Sequence, residues 1–311
     1  MPADDEAEAG PRFADRLAGL VAGRESQVVL GLDPDPSRLW PQAVEAAPAT
    51  GSAAERAASA VAAHCAAVID AAGGACVAAK LQVACFERLG APGWAALGAV
   101  ARHARAAGLL VLADAKRGDI DVSAAAYGQA LVGTTPTPFG PVAGLGADAF
   151  TASPYMGRDT LEVLTGAARE ARAGVFVLVR TSNPGAADLQ DVRTADGEPI
   201  WARVARLVDA LGGAAKAGAL ADVGAVVGAT APEHVGRLRE LMPRAVFLLP
   251  GVGAQGGRVE DLAPAFAPGR AGGLVTASRS IVAAHERTGA APAAAARAEA
   301  ERLRTAAWAL A

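Results

Sequence analysis

The side chains best suited to acid–base chemistry are concentrated in one short run, L-V-L-A-D-A-K-R-G-D-I, at residues 110–120. Asp114 and Lys116 are two residues apart, so a β-strand here would point both side chains to the same face. Asp119 follows three residues later, beyond the predicted end of the strand. Lys80 ends an earlier apolar run, and its ammonium group would reach Asp114 if the two runs form neighbouring strands. We therefore expect an alternating Lys–Asp–Lys–Asp array with no net charge.

Pairing makes such an array tolerable inside a protein, because isolated buried charges are costly. The carboxylates would keep Lys116 protonated and ready to donate a proton. The alternative interpretation is a structural ion-pair network that only closes the top of the sheet, since such networks also perturb pKa values.

A count of basic residues favours chemistry over a purely structural network. Of the 29 basic residues only Lys80, Lys116 and Lys216 are lysines, and all the others are arginines. Arginine stays charged in proteins, so a lysine retained in this chain suggests a role in proton transfer. Lys216 lies in a predicted helix and is expected to be a surface residue.

A glycine-rich run, P-G-V-G-A-Q-G-G at residues 250–257, has the composition of an anion-binding loop. Glycines let backbone N–H groups converge on an anion, and Arg279, after a later apolar run, could bind phosphate oxygens with two donors. A flexible glycine-rich turn is the alternative, and the position of Arg279 favours the phosphate site. Asp33, in G-L-D-P at residues 31–34, could accept hydrogen bonds from sugar hydroxyls, although Asp-Pro alone marks only a turn.

The elements that must position these residues form an α/β pattern, in which eight apolar strands alternate with Ala-rich helices. Eight such units are typical of a closed (β/α)8 TIM barrel. An open doubly wound sheet needs fewer strands, and no G-x-G-x-x-G follows the first one. The active sites of such barrels lie at the carboxyl ends of the strands, where the residues named above are found. The predicted strands are 28–32, 76–81, 109–114, 149–151, 175–180, 223–228, 246–249 and 273–277.

The rest of the chain is expected to belong to one domain, residues 13–311, after a disordered acidic tail at residues 1–12. Two polar loops, 133–147 and 183–199, are too short and too polar for a second domain. The stretch 191–201 belongs either to a lid over the substrate or to a surface excursion. The predicted helices are 53–72, 92–107, 122–132, 158–172, 200–217, 232–241 and 258–266, with an extra C-terminal amphipathic helix at 289–311.

Composition excludes several classes of protein. Apolar residues make up 52% of the 311 residues, which rules out disorder of the whole chain. The formal charge of −3 argues against a general nucleic-acid binder. Three cysteines without a CxxC pair indicate a reducing compartment, and the four dispersed histidines indicate no metal site. The N-terminus is acidic, unlike a signal peptide, and charges and glycines interrupt the most apolar stretch, 61–86. We therefore expect a soluble cytoplasmic protein with no membrane or nucleic-acid partner.

Taken together, the motifs resemble those of orotidine 5′-phosphate decarboxylase, in particular the longer bacterial branch of that family. The resemblance spans residues 28–282, in the same order and at the same strand ends, and the full set is more specific than D-x-K-x-x-D alone. It is carried by Lys80 and by the motifs G-L-D-P, D-x-K-x-x-D-I, T-S-N-P-G, P-G-V-G-A-Q-G-G and S-R-S-I.

The resemblance implies decarboxylation of orotidine 5′-monophosphate to uridine 5′-monophosphate and CO2 without a cofactor or metal, the last step of de novo pyrimidine synthesis. Asp33 and Lys80 would hold the ribose hydroxyls, and Lys80 would also brace Asp114. Asp114 would lie beside the substrate carboxylate, and Lys116 would protonate C6 as CO2 leaves.

The resemblance also implies a homodimer with shared active sites, in which Asp119 reaches the partner's site together with Ile120 and Ser123. Ser123 stands where shorter relatives tend to have Thr, so the hydroxyl is retained. Ser182 would read the pyrimidine edge. The phosphate would be held by Gln255, Arg279 and backbone N–H groups near Gly256.

Two alternative functions are distinguishable from the sequence. A Mg²⁺-dependent sugar-phosphate decarboxylase or aldolase of the same barrel group would need an acidic metal ligand at the end of strand two, where this chain has Lys80. A catalytically silent phosphosugar-binding protein would need the phosphate site but not both Lys80 and Lys116. We therefore expect the decarboxylase.

Overall fold

The fold is a closed barrel of eight parallel strands, as the sequence predicts. The computed structural model describes residues 10–213, 219–253 and 255–311. Each strand pairs with the next along the chain, and the last pairs with the first. The strands are β1 (Val28–Leu32), β2 (Ala78–Gln82), β3 (Leu110–Arg117), β4 (Ala149–Ala152), β5 (Gly174–Arg180), β6 (Ala221–Val227), β7 (Ala245–Pro250) and β8 (Gly273–Ala277).

Helices connect the strands and cover the outside of the barrel, as in a (β/α)8 fold. The α-helices are α1 (Phe13–Arg24), α2 (Pro41–Glu45), α3 (Ala53–Ala72), α4 (Val83–Glu87), α5 (Ala91–Ala106), α6 (Asp121–Leu131), α7 (Arg158–Glu170), α8 (Ile200–Leu211), α9 (Val235–Leu241), α10 (Arg279–Val282), α11 (Ala284–Thr288) and α12 (Pro292–Leu310). The extra C-terminal helix is α12. Short 3₁₀ segments are Gly73–Ala75, Pro184–Asp188, Pro232–His234, Val259–Phe266 and Arg270–Gly272.

Three predicted helices need correction. Residues 258–266 form a 3₁₀ segment, Val259–Phe266, because Pro264 inside it has no N–H to donate and its ring obstructs an α-helical turn. The predicted helix 232–241 begins with a 3₁₀ turn, Pro232–His234, before α9. The predicted helix 200–217 ends as α8 at Leu211, and residues 214–218, with Lys216, lie outside the described residues.

Both faces of the strands are buried, which explains their continuous apolar runs. Along β5, Val175 and Val177 pack in the larger hydrophobic cluster with the surrounding helices, whereas Phe176 belongs to a second cluster inside the barrel. This alternation follows the period of two of a strand. The same alternation directs polar residues at the carboxyl ends of the strands toward the barrel axis.

Helix α1 lies across the amino end of the barrel, and the sequence analysis did not predict it. Phe13 and Leu17 join the interior cluster, and the Phe13 ring meets Phe176 edge to face at 5.8 Å between centroids. Gly174 makes room for this ring, because a Cβ there would lie 2.4 Å from Phe13 Cδ1. The backbone N–H of Ala14 also donates to Asp222 Oδ1 at 2.8 Å. Helix α1 therefore closes one end of the barrel and leaves the other end for the site.

The structure describes only the last residues of the predicted N-terminal tail. Residues 1–9 lie outside the described residues, so their predicted disorder stays a prediction. Arg12, at the end of the predicted tail, already donates to Asp222 at 3.4 Å.

Helix α3 is the one described helix that is long and apolar enough, by length and composition, to cross a membrane. The segment is Ala53–Ala75, and 56% of its most apolar window is buried inside this protein. Its apolar residues pack in the main hydrophobic cluster, and its first turn has a capping box between Ser52 and Glu55. These are features of a helix in the core of a folded domain.

The two predicted loops have some structure of their own. Within 133–147, Thr134–Thr135 pairs with Val142–Ala143 as a short antiparallel ribbon. Within 183–199, the 3₁₀ turn Pro184–Asp188 is followed by an isolated bridge between Arg193 and Pro199.

Candidate active site

The carboxylate of Asp114 lies between two lysine ammonium groups at the carboxyl ends of β2 and β3. Lys80 Nζ is 2.6 Å from Asp114 Oδ2, and Lys116 Nζ is 2.6 Å from Asp114 Oδ1. The pairing of β2 with β3 places Gln82 opposite Asp114, so Lys80 rises from one layer below. The predicted contact of Lys80 with Asp114 is confirmed.

The fourth member of the array within one chain is Asp33, not Asp119 as the spacing suggested. Asp33 Oδ1 lies 3.6 Å from Lys80 Nζ. Asp119 Oδ1 instead accepts a hydrogen bond from the N–H of Ile120 at 2.8 Å, and Asp119 is not among the residues that line the cavity of its own chain. The chain turns away from the barrel axis after Arg117, which carries Asp119 outward.

Burial and charge oppose each other in this array, and charge decides the protonation states. Asp114 is only 7% exposed and Lys80 only 5% exposed. Burial by itself would raise the pKa of Asp114, but Lys80 and Lys116 outweigh it and hold the pKa well below its usual range. Burial by itself would lower the pKa of Lys80, but Asp114 and Asp33 raise it above its usual value. Both groups therefore stay charged at neutral pH.

Lys116 occupies an unusual backbone conformation at the end of β3. Its φ is +49°, in the left-handed region that non-glycine residues rarely adopt. Its N–H donates to Thr151 Oγ1 at 2.9 Å, and the Thr151 hydroxyl donates to Asp114 Oδ1 at 2.9 Å. The pairing of β3 with β4 also shifts register between Ala113 and Arg117. This local irregularity directs the Lys116 side chain, which is 44% exposed, toward the open end of the barrel.

A cavity of about 470 Å³ opens above this array. The predicted residues Asp33, Ser182, Gln255 and Arg279 all line it. Ser182, after β5, donates from Oγ to Gln255 Oε1 at 3.0 Å, which joins the predicted pyrimidine side of the cavity to the predicted phosphate side.

The glycine-rich loop after β7 folds back on itself, and several of its N–H groups already donate to carbonyl groups of the same loop. Gly251, Gly253 and Gly256 all have positive φ values, which glycine adopts without strain. The N–H of Gly256 donates to Gly253 O at 2.9 Å, and Gly256 does not line the cavity. Of the predicted phosphate contacts, the Gln255 and Arg279 side chains line the cavity, whereas the Gly256 N–H is directed to Gly253. Ala254 lies outside the described residues.

The turn at Ser278, between the end of β8 and Arg279, is packed tightly against β1. A Cβ added to Gly31 would lie 1.8 Å from Ser278 Oγ and 2.9 Å from Ser278 Cβ. Because this turn approaches β1 so closely, Gly31 fixes where Ser278 and Arg279 can lie.

The two remaining predicted residues, Ile120 and Ser123, also lie outside the cavity of their own chain. Ile120 is the N-cap of α6, and Ser123 is in the first turn of that helix. Both are exposed. The single chain therefore does not bring Asp119, Ile120 and Ser123 to its own site.

The structure adds residues that the sequence analysis missed. Thr151 orients both Asp114 and Lys116, and Gln82 Oε1 lies 3.5 Å from Lys116 Nζ. Thr181 and Gln190 also line the cavity. Thr151 and Gln82 follow from the alternation of inward residues along β4 and β2. Gln190 belongs to an irregular segment, where no periodicity could have placed it.

A metal ion would need several donor side chains grouped around one point. In the part of the chain that the structure describes, no three His, Cys, Asp or Glu side chains are grouped closely enough to hold a metal ion. Each carboxylate of the array already faces an ammonium group. This donor set does not fit a divalent cation, which binds best to several oxygen ligands.

The fold and the site define a TIM-barrel enzyme with a charged cavity at the carboxyl ends of its strands. The family described as Orotidine 5′-phosphate decarboxylase / HUMPS family matches residues 26–294. The chain is 42% identical over 280 residues to the orotidine 5′-phosphate decarboxylase of Rhodopirellula baltica, with 88% of this chain and 89% of that one covered. For the protein of the same name from Deinococcus radiodurans, the identity is 39% over 277 residues, covering 87% and 89%.

A solved structure agrees with these sequence matches. The Leishmania donovani OMP decarboxylase superposes with a TM-score of 0.70 at 31% identity, covering 96% of this chain and 99% of that one. The chain therefore belongs to the orotidine 5′-phosphate decarboxylase family, and it is a carboxy-lyase of pyrimidine biosynthesis. The resemblance stated from the motifs is confirmed, and the Mg²⁺-dependent alternative is not favoured.

Proposed function

We propose that this enzyme converts orotidine 5′-monophosphate to uridine 5′-monophosphate and CO2 by means of its Lys–Asp array alone, without a cofactor. The observation that carries this proposal is the carboxylate of Asp114 held 2.6 Å from both Lys80 and Lys116 beside the cavity. Breaking the bond from C6 to the carboxylate leaves an electron pair on C6. Positive charge fixed in advance where that pair develops lowers the barrier, because no solvent must reorganise during the reaction.

Lys116 supplies both the charge and the proton in this mechanism. Its Nζ–H bond breaks as the new C6–H bond forms, CO2 leaves, and the neutral amine regains a proton from water. Asp114 lies beside the carboxylate that departs and keeps Lys116 in place. Lys80 and Asp33 hold the ribose hydroxyls, and Lys80 also neutralises Asp114.

The distal contacts bind the parts of the substrate that do not react. Ser182 reads the pyrimidine edge, while Gln255 and Arg279 hold the phosphate, with backbone N–H groups near Gly256 as a further candidate. A guanidinium is suited to phosphate because it presents two parallel donors. Binding energy from the phosphate can then be used to position the reacting carbon.

A homodimer completes the site in this proposal. Asp119 would enter the partner's cavity, accompanied by Ile120 and Ser123. The exposed apolar side chains after β3 and β4 support an interface at this end of the barrel: Ile120, Val122, Tyr155 and Met156. Because β3 and β4 are neighbours, these side chains belong to the same face of the molecule.

The remaining parts of the proposal concern the setting of the enzyme. We place it in the cytoplasm, as one domain from residue 13 to residue 311, with a nucleotide as its small-molecule substrate and with no membrane or nucleic-acid partner. The cysteines support a reducing compartment, because Cys65 and Cys76 are buried free thiols whose pKa is raised by burial.

The deciding experiment is ultraviolet-monitored conversion of orotidine 5′-monophosphate by the purified protein in the presence of EDTA. Rapid formation of uridine 5′-monophosphate would establish both the reaction and its independence from metal. No conversion by folded protein, with activity on a sugar phosphate only after Mg²⁺ is added, would overturn the proposal.

A further inference from the structure

The segment between β5 and α8 is attached to the end of β5 by an ion pair. Arg180 donates from Nε to Asp191 Oδ1 at 2.9 Å and from Nη2 to Asp191 Oδ2 at 3.0 Å. The third nitrogen, Nη1, donates to the backbone oxygen of Thr181 at 2.8 Å. The Arg180 side chain is 11% exposed and the Asp191 side chain 35% exposed, so this contact is partly shielded from water. One guanidinium thus ties the segment to the backbone just before Ser182.

A second attachment is made by the amide of Gln190. Its Oε1 accepts from the N–H of Thr181 at 2.8 Å, and its Nε2 donates to Thr181 Oγ1 at 2.8 Å. The backbone of Gln190 is itself fixed, because its N–H donates to Ala186 O and its oxygen accepts from the N–H of Trp201. The N–H and the C=O of Thr181 are therefore both satisfied by this segment and the ion pair.

The other side of Ser182 is fixed by residues that follow the neighbouring strand β6. Thr230 Oγ1 donates to Ser182 O at 3.1 Å. The backbone of Gly228 lies against Ser182, because a Cβ there would be 2.8 Å from Ser182 Cα. The Ser182 hydroxyl is at the cavity, where it donates to Gln255 Oε1.

We propose that Gln190 and Asp191 are positioning residues for Ser182, an inference that rests on the proposed role of Ser182 in binding the pyrimidine. They fix the Thr181–Ser182 backbone before the nucleotide arrives, so the hydroxyl meets the base without further loss of conformational freedom. Preorganisation of this kind increases affinity by removing an ordering cost from the binding step. The segment that the sequence left open as a lid or a surface excursion thereby acquires a specific role in recognition of the base.

This role separates ligands that have a base from those that lack one. Uridine 5′-monophosphate would use Ser182, whereas ribose 5-phosphate would use only the ribose and phosphate contacts. For Asp191→Ala and for Gln190→Ala we expect the dissociation constant of uridine 5′-monophosphate to rise about tenfold, the loss that follows from one charge-assisted or well-formed hydrogen bond. The dissociation constant of ribose 5-phosphate is expected to rise less, because Ser182 reaches the phosphate side only through its hydrogen bond to Gln255.

The matched control is Asp196→Asn in the same segment. Asp196 pairs with Arg203 at 2.5 Å on the surface, and it lies outside the cavity. We expect this variant to bind both ligands like the unmodified enzyme. If Asp191→Ala folds poorly by circular dichroism, Asp191→Asn keeps the shape of the side chain but removes its charge and one of its two acceptors for Arg180.

A double-mutant cycle with Ser182→Ala shows whether Asp191 affects nucleotide binding through Ser182 or independently of it. If Asp191 acts through Ser182, the double variant should bind uridine 5′-monophosphate no more weakly than Ser182→Ala alone. Additive losses, or an equal loss of ribose 5-phosphate affinity, would overturn the inference. If Ser182→Ala itself binds normally, the proposed role of Ser182 fails and the inference fails with it. If Ser182→Ala is impaired while Asp191→Ala and Gln190→Ala bind normally, the inference alone is wrong.

Discussion

At the scale of single residues, the two oxygens of Asp114 have different partners. Oδ2 accepts from Lys80, whereas Oδ1 accepts from both Lys116 and the hydroxyl of Thr151. Lys80 therefore neutralises the carboxylate from below, and the other oxygen orients the lysine that faces the cavity. The two lysines are not equivalent, since Lys80 is buried and Lys116 is partly exposed.

The first prediction separates the charge of Lys116 from its proton. In Lys116→Ala we expect turnover to fall by more than about 10³-fold, since general acid catalysis and electrostatic stabilisation each contribute at about this scale. Lys116→Arg keeps the charge but holds its proton, so it should stay far below the unmodified enzyme. The measurements are kcat and the dissociation constant of uridine 5′-monophosphate. We expect kcat to fall and the dissociation constant to stay nearly the same. Substantial turnover in either variant would show that another group protonates C6.

The second prediction concerns Gly31 and the position of Arg279. In Gly31→Ala the new Cβ would collide with Ser278, so the turn must move and the affinity for ribose 5-phosphate should fall by about tenfold or more. Adding Ser278→Gly removes the atoms that collide and should restore part of the affinity. Gly19→Ala is the matched control, because a Cβ at Gly19 meets nothing within 4 Å. Normal binding by Gly31→Ala would mean that the turn moves freely.

At the scale of elements, His64 joins α3 to the segment before α2. The N–H of Trp40 donates to His64 Nδ1 at 3.1 Å, and the two rings meet edge to face with centroids 5.4 Å apart. Burial, with a smaller effect of the charge on His285, lowers the pKa of His64 from 6.5 to about 4. The folded protein therefore contains neutral His64 under conditions in which an unfolded chain would be protonated.

The third prediction follows from this difference. Above pH 6.5 both states carry a neutral imidazole, so His64 adds no pH dependence. As the pH falls from 6.5 to about 4, His64 becomes protonated in the unfolded chain but stays neutral in the folded protein. The free energy of unfolding should therefore fall by up to about 3 kcal/mol.

His64→Asn tests this prediction because its side-chain oxygen can still accept from Trp40. Urea unfolding at pH 8 and at several values down to pH 4 should give a flatter dependence for the variant than for the unmodified protein. Parallel curves over that range would show that His64 does not contribute.

The sequence predicted the elements well where periodicity determines them. All eight barrel strands and the helices at 53–72 and 122–132 follow from apolar runs and amphipathic spacing. Helix α1 was missed because its few core residues belong to a short amphipathic pattern next to the acidic tail, and its packing against Phe176 depends on tertiary structure. Strand β3 extends to Arg117, beyond the predicted end at 114, because the irregular backbone at Lys116 continues the pairing with β4.

The sequence likewise predicted the site residues that lie on strands, but not those that lie on irregular segments. Lys80, Asp114 and Lys116 could be placed together because strand neighbours and strand period fix their positions. Asp33 replaced Asp119 in the array because the direction of the chain beyond the strand does not follow from spacing. The attachment of Gln190 to Thr181 depends on the path of an irregular loop, and local sequence does not determine such a path.

At the scale of the whole molecule, the fourth prediction tests whether two subunits share each site. Asp119→Ala and Arg279→Ala should each be nearly inactive. In a mixed dimer, one site combines the intact Arg279 of one subunit with the intact Asp119 of the other. After complete exchange of equal amounts, we expect about a quarter of the unmodified specific activity, since half of the dimers are mixed and each has one complete site.

Enzyme assays before and after subunit exchange provide the measurement, with native mass spectrometry to confirm that mixed dimers form. Each variant incubated alone is the control. Mixed dimers without any recovery of activity would show that Asp119 does not serve the partner's site.

The packing of α1 across the amino end of the barrel determines where substrate can enter and products can leave. Phe13 and Leu17 fill the space between the strands at that end, so the reaction chamber is a blind-ended well with its mouth at the carboxyl ends of the strands. Substrate, nucleotide product and CO2 must share that single mouth. Because α1 fills the amino end, it blocks an exit through the floor of the barrel, and CO2 leaves by the same end as the nucleotide.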